Sequence, residues 1–264
     1  MVGCTNPHIG QNEILDSATK ITYNTYTSDC GKEYQIIEGI LFGNTSEYYK
    51  DWVQISDLDN IIHIEACNGT LIFLTNDGEV YGLGSPEGGV LKIQTNEYND
   101  NGDFVTVPIL LFENCKYASL GVGFALFIKE DDTLWFLGTS KNGQSTTVID
   151  AIYEPIQIAE NIQYAKAFGY TSAWIDAENS LYLCGDNSYG QIGNGSSGSG
   201  YPTLYKDIVT TPYFALKYCK SLSINDTNSV VQAETTYGAK YIWGGDYGPS
   251  PVIINESNSL SVPE

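Results

Sequence analysis

Apolar residues along this chain come in short runs separated by Gly, Asn and Asp, and no long segment carries the 3.6-residue period of an amphipathic helix. Laid on itself, the chain repeats. The stretches "NIIHIEACNGTLIFLTNDGEVYGLG" (Asn60 to Gly84), "NCKYASLGVGFALFIKEDDTLWFLG" (Asn114 to Gly138) and "NIQYAKAFGYTSAWIDAENSLYLCG" (Asn161 to Gly185) align without a gap, the last Gly falling 24 positions after the Asn in each. A fourth copy, "YCKSLSINDTNSVVQAETTYGAKYIWGG", fits with two extra residues before Gly244, and a degenerate one, "DCGKEYQIIEGILFG", ends at Gly43.

Every copy reads as an apolar run, a Gly/Asn corner, a second run, a polar turn, and a third run closing on Gly. That is three strands in series. The turns Asn76-Asp77-Gly78 and Tyr237-Gly238 contain residues that tolerate the positive φ of tight hairpins. A fourth run opens on Pro108, Pro155, Pro212 and Pro251, and proline, which cannot donate to a ladder, suits an edge strand. Four strands about every 50 residues predict an all-β propeller of about five blades of four antiparallel strands. The 264 residues are expected to form one domain, with repeats near 19–43, 51–84, 108–138, 155–185 and 212–244. Helical turns are expected only at Gln11 to Ala18.

Four features of the repeat unit then identify a resemblance: P-x-x-apolar, a Gly corner, D-G-x-apolar-[YW]-x-[WL]-G, and G-[DN]-N-x-x-G-Q-[LI]-G. The run "CGDNSYGQIGNG", Cys184 to Gly195, carries the last of these best, with "LWFLGTSKNGQS" around Gly138 and Gly143 a weaker copy. This pattern resembles the repeats of the regulator-of-chromosome-condensation (RCC1-like) propellers, over roughly Cys30 to Asn255. The resemblance implies that Gly185, Gly190, Gly193 and Gly195 are blade-turn residues. The rival reading of Gly193, Gly195 and Gly198 as a dinucleotide G-x-G-x-x-G fails, because "SSGSGYP" cannot open the helix that a pyrophosphate requires. The resembling family usually has seven blades, so five Gly anchors leave either a small closed ring or an arc of a larger one. Closure is the expectation here, with residues 249–264 completing the first blade and removing exposed edges.

Charge narrows the choice of partner. Twelve Lys and Arg against 32 Asp and Glu give −20, which opposes nucleic acid and anionic membrane, since both need cations to displace counterions. A solubilising surface is the simplest account of the acid, with a patch for a basic partner the alternative. The most apolar stretch, Ala118 to Ile128, is too short to span a bilayer and reads as two strands about a glycine corner. No signal peptide is visible; "MVGC" admits a lipoprotein stump with Cys4 lipidated, and cytoplasmic or virion-associated placement is favoured over a processed lipoprotein or secreted one.

Of six cysteines, Cys30 and Cys67 occupy matching corners, Cys115 and Cys219 matching strand positions, and Cys184 the place of Leu83, Leu137 and Trp243. Equivalent positions in different blades are expected to lie too far apart for a disulfide, so buried free thiols are predicted. His8 and His63 are too few for a His-based metal cluster, and His63, between Ile62 and Ile64, reads as a strand residue. The segment "EYNDNGD", Glu97 to Asp103, has calcium-loop oxygens, but Pro108 stands where the bidentate Glu belongs. No cofactor, metal or catalytic group is expected.

What remains is surface. The connections Ser85 to Val107 and Asn194 to Thr211 are longer than packing needs. Asn68, Phe124, Tyr170 and Asp226 lie at the corners between first and second strands, either as ordinary turn residues or as a ring of groups that bind a protein. The expected function is a non-enzymatic protein-interaction or structural module, including a cell-surface or virion component. The resemblance admits two alternatives: an inhibitor capping another protein's active site, or a nucleotide-exchange regulator of a small GTPase.

Overall fold

Polar turns in the repeat close tight hairpins, with Gly78 and Gly238 both at φ 81°. The computed structural model describes residues 10–14, 21–27, 33–44, 52–85, 90–91, 105–198, 207–225 and 228–254. Among them the chain forms five antiparallel sheets in sequence order, each a meander. The first contains β1 (Gly10–Ile14), β2 (Ile21–Thr27), β3 (Glu33–Ile37), β4 (Ile40–Asn44) and β5 (Trp52–Gln54). The second contains β6 (Ile61–Cys67), β7 (Thr70–Thr75), β8 (Val80–Gly84) and β9 (Val105–Phe112). The third contains β10 (Cys115–Gly121), β11 (Phe124–Lys129), β12 (Leu134–Ser140) and β13 (Ile149–Ala159). The fourth contains β14 (Ile162–Phe168), β15 (Thr171–Asp176), β16 (Leu181–Asp186) and β17 (Ile208–Leu216). The fifth contains β18 (Cys219–Asn225), β19 (Val230–Thr235), β20 (Lys240–Trp243) and β21 (Val252–Ile253). The fold is an all-β propeller of about five blades.

Three sequence expectations change. Gly10–Ile14 is a strand rather than helical turns, because its pairing with β2 satisfies backbone groups that a single helical turn would leave open; Leu15 to Ala18 lie outside the described residues. Each proline-led run is the outer strand of the sheet before it, as when β13 pairs with β12. The same holds at the end of the chain. Val252 and Ile253 pair with Ile242 and Tyr241, so this strand completes the fifth blade, while β5 already serves the first. A short reversal through the 3-10 turn Gly245–Tyr247 brings that strand beside its sequence neighbour, the usual outcome for consecutive strands.

The closing glycines are interchangeable parts. Gly84, Gly138 and Gly185 have φ 112°, 113° and 118°, and a Cβ there would stand 2.2, 2.4 and 2.5 Å from the carbonyl oxygens of Gly69, Gly123 and Tyr170. Gly244 meets the Ser229 oxygen at 2.3 Å in the same way. Any side chain would push the first-to-second-strand corner off the third strand. The structure thus explains why the closing Gly recurs.

The core lies between blades. Leu41, Ile64, Leu71 and Phe73 join the first sheet to the second; Ile72, Leu74, Ala118 and Phe127 join the second to the third. Phe124, Leu126, Ala165 and Trp174 join the third to the fourth, and Ile175, Leu183, Val231 and Trp243 the fourth to the fifth. Among the described residues no such cluster joins the fifth sheet to the first.

Cysteine chemistry matches the expectation in part. Cys115, Cys184 and Cys219 are free and buried. Cys67 is disulfide-bonded, with its partner outside the described residues. Among the described cysteines the expectation of free thiols fails at Cys67 alone, the last residue of β6. Burial pushes the thiols of Cys115 and Cys184 up to about 12 and that of Cys219 up to about 11. All three are therefore predicted to resist iodoacetamide in the native protein at neutral pH, and unreduced, denatured protein to expose no more than four of its six thiols.

A second prediction comes from comparing two glutamines. Gln191 Nε2 donates to Asp186 Oδ2 at 3.2 Å and Thr171 Oγ1 at 3.4 Å. In the preceding blade Thr139 and Phe124 hold those places, and the buried Gln144 Nε2 has no partner. Thr139→Asp should supply one, stabilising by about 1 kcal/mol and raising the melting midpoint by about 2–4 °C.

Candidate functional site

Innermost strands face the axis with one sheet edge unpaired, so something other than a ladder must satisfy their outward N–H groups. The repeat places one residue per blade at the same height there: Glu65, Ser119, Lys166 and Ser223, opposite Ile72, Leu126, Ala173 and Gln232 of their hairpin partners. Leu120 N–H donates to Glu65 Oε2 at 2.7 Å and Ser119 Oγ–H donates to the same oxygen at 3.1 Å. Ala167 N–H donates to Ser119 Oγ at 3.0 Å. Each blade's side chain thus holds the backbone of the next. Lys166 has no acceptor, so it cannot pass the pattern on; it turns back and donates to Glu65 Oε1 at 2.8 Å, linking the fourth blade to the second.

Two residues before these lies an aromatic row. His63, Tyr117 and Tyr164 occupy equivalent positions, with ring centroids 5.6 and 5.7 Å apart, and Ser221 follows in the fifth blade. His63 is a strand residue, as expected. Its Nε2 lies 3.7 Å from Glu65 Oε1, an electrostatic contact too long for a hydrogen bond. Burial alone would raise the Glu65 carboxyl, but the Lys166 ammonium, with His63 adding to it, pulls it down to about 2. Where the rows reach the small Ser221 and Ser223, a recess of about 250 Å³ opens, lined also by Gln232, Glu234, Lys240 and Ile254. Among the described residues no group of three His, Cys, Asp or Glu could hold a metal ion, and no helix is long and apolar enough to cross a membrane.

The four residues proposed from sequence as corner groups part company. Phe124 is corrected outright: it is fully buried and stacks on Phe136 at 5.3 Å. The corner is made by Val122 and Gly123, which leaves Phe124 as the first residue of β11, opposite Gly138 and in the joint to the next blade. Tyr170 is 43% exposed at its corner, while its carbonyl accepts from Asp186 N–H at 3.0 Å. Asn68 is half-buried at φ 48°. Asp226 lies outside the described residues, as do Cys4, His8, Cys30, the Glu97 to Asp103 segment and most of the two long connections. Sequence reading missed Glu65, Ser119 and Lys166. Their signal was an aligned column holding an acid, a hydroxyl and a lysine inside strands expected to be buried.

No protein-family model and no curated protein sequence matches the chain. Solved structures do. Human WBSCR16 superposes with a TM-score of 0.65 at 17% identity, covering 85% of this chain and 65% of that one. Prp20p of Saccharomyces cerevisiae, described with its binding to Gsp1p and histones, gives 0.63 at 18% identity over 90% of this chain and 62% of its own. Yeast RCC1 (Prp20) bound to Kap60 gives 0.64 at 19% identity, over 90% and 60%. The chain spans about three-fifths of the length of these similar structures. Its fold is that of an RCC1-like propeller.

Two predictions follow from the packing. A carboxyl held below its unfolded value contributes stability above that value and loses it as pH falls toward the folded one, so the Glu65 contribution should be complete above about pH 4.5 and vanish near pH 2. Glu65→Gln should flatten the stability profile across that window and, by removing the carboxylate charge that faces the buried Lys166 ammonium, cost about 3–5 kcal/mol at pH 7 in denaturant titration. Phe124→Ala should also cost about 3–5 kcal/mol, whereas Tyr170→Ala should stay within about 0.5 kcal/mol of wild type; thermal melts read both.

Proposed function

We propose that this propeller is a non-enzymatic protein-interaction module, a scaffold whose exposed strand connections bind a protein partner. The observation that carries the reading is the RCC1-like fold itself. Similar structures are described with protein partners, Kap60 in one case and Gsp1p and histones in another, at identities that establish fold alone. Local chemistry agrees. The polar groups of the inner wall bond chiefly to one another across blades, which favours a rigid frame, while exposed aromatic groups such as Tyr170 stand at the connections. A net charge of −20 argues against nucleic acid as the ligand.

A second reading, regulation of a small GTPase by nucleotide exchange, is favoured by the similarity to Prp20p, which binds Gsp1p. An exchange assay decides it: accelerated release of labelled nucleotide from a small GTPase of the same cell would replace the scaffold reading. For the main proposal, affinity capture from the native source should recover a stoichiometric protein partner, resistant to nuclease, with a dissociation constant tighter than about 10 µM. Recovery of nucleic acid alone, or of no protein in stoichiometric amount, would contradict it.

A further inference from the structure

At the end of the molecule opposite the glycine corners, the link entering each blade meets that blade's hairpin tip. One bond closes it in four blades: Asn76 N–H to Asn60 oxygen at 2.8 Å, Glu130 to Asn114 at 3.0 Å, Ala177 to Asn161 at 2.7 Å, and Thr236 to Tyr218 at 2.8 Å. These four places are structurally equivalent, so their side chains can be compared directly.

In the second, third and fourth blades the corner is acidic. An acid precedes the asparagine, as Asp59, Glu113 and Glu160, and another stands at the tip, as Asp77, Asp131 and Glu178. Asn60 Nδ2 donates to Asp77 Oδ2 at 2.5 Å across one such corner. In the fifth blade all three positions change together. Lys217 replaces the first acid, Tyr218 the asparagine and Tyr237 the tip acid.

The replacements do not suit the fold. Tyr218 sits at φ 61°, a left-handed conformation that its equivalents Asn114 and Asn161 adopt at 59° and that asparagine tolerates far better than a bulky side chain. Tyr237 is 76% exposed and Tyr218 42%, their rings meeting edge to face at 5.1 Å with Lys217 Nζ 5.3 Å from the Tyr218 ring. Strain and exposed aromatic area coincide at this corner, the combination that a binding surface calls for. Charge tells which partner. Residues 208–254 hold three lysines (Lys217, Lys220, Lys240) against three acids (Asp226, Glu234, Asp246), so this blade is neutral while the rest of the chain carries the whole −20.

We propose that the corner of Lys217, Tyr218 and Tyr237 docks an acidic protein segment that presents an aromatic or large apolar side chain. The apolar group packs against the tyrosine pair, and its neighbouring carboxylates meet Lys217 in place of the acids that the second, third and fourth corners carry. This rests on the protein-interaction reading and names its site and the chemistry of its partner.

Three fluorescein-labelled peptides test it by anisotropy: an Asp/Glu peptide bearing Phe and Trp, the same peptide with Lys for every acid, and the acidic peptide with Ala for its aromatics. The acidic aromatic peptide should bind best, lose affinity about tenfold or more in Tyr237→Ala and in Lys217→Glu, and weaken as salt rises from about 50 to 500 mM. Tyr218→Asn should lose binding while its melting midpoint rises by about 2 °C, a combination that a purely structural tyrosine would not give. Preference for the basic peptide, equal binding by the variants, or no binding of the acidic peptide would overturn the proposal. Cross-links from a native partner mapping elsewhere on the chain would overturn the corner yet leave the interaction module standing; the absence of any protein partner would remove both.

Discussion

An inner strand in a propeller has no neighbour on its axial side, and this molecule satisfies that edge with side chains borrowed from the preceding blade. Glu65 and Ser119 each hold a backbone N–H of the next blade, and Lys166 returns to Glu65 across two joints. Hydrogen bonds to a charged group contribute more than neutral ones, and leaving a buried donor unpaired costs about 1–3 kcal/mol. The apolar joints between sheets supply most of the burial, but they are non-directional. The axial bonds fix the height at which one blade meets the next, and so place the exposed corners in a definite array.

Toward the end of the array the rules change. Gln232, Glu234 and Lys240 occupy the places where the fourth blade has the buried Ala173, Ile175 and Leu181, and Ser221 and Ser223 replace Tyr164 and Lys166. The fifth blade, polar where the fourth is apolar on that face, is also the blade whose tip exchanges acid and asparagine for lysine and tyrosine. A polar face and a changed tip coincide in one unit.

Much of this was legible in the residues because strand periodicity, turn glycines and an ungapped self-alignment all depend on local chemistry. The closing glycines were identified as structural, and the structure supplies the reason in a carbonyl oxygen too close for any Cβ. Less legible was what depends on the way side chains point. Phe124 was placed at a corner because it follows Gly123, yet a turn of two residues makes it the first strand position and sends it into the core. The Glu65 network depends on the convergence of inner strands near an axis, a distance no spacing along the chain reports. The change at Lys217, Tyr218 and Tyr237 stood in the aligned sequence, but it gained meaning only once the four corners proved to share one hydrogen bond.

Amide hydrogen exchange at Leu120 and Ala167 tests the axial bonding most directly. Both amides face the axis rather than a sheet neighbour, so without Glu65 and Ser119 they would exchange like loop amides. The account predicts protection comparable to the paired strand interior in the wild type, and acceleration at Leu120 on the order of a hundredfold in Glu65→Ala, which removes the acceptor. Loop-like exchange at both amides in the wild type, or unchanged protection at Leu120 in the variant, would contradict it.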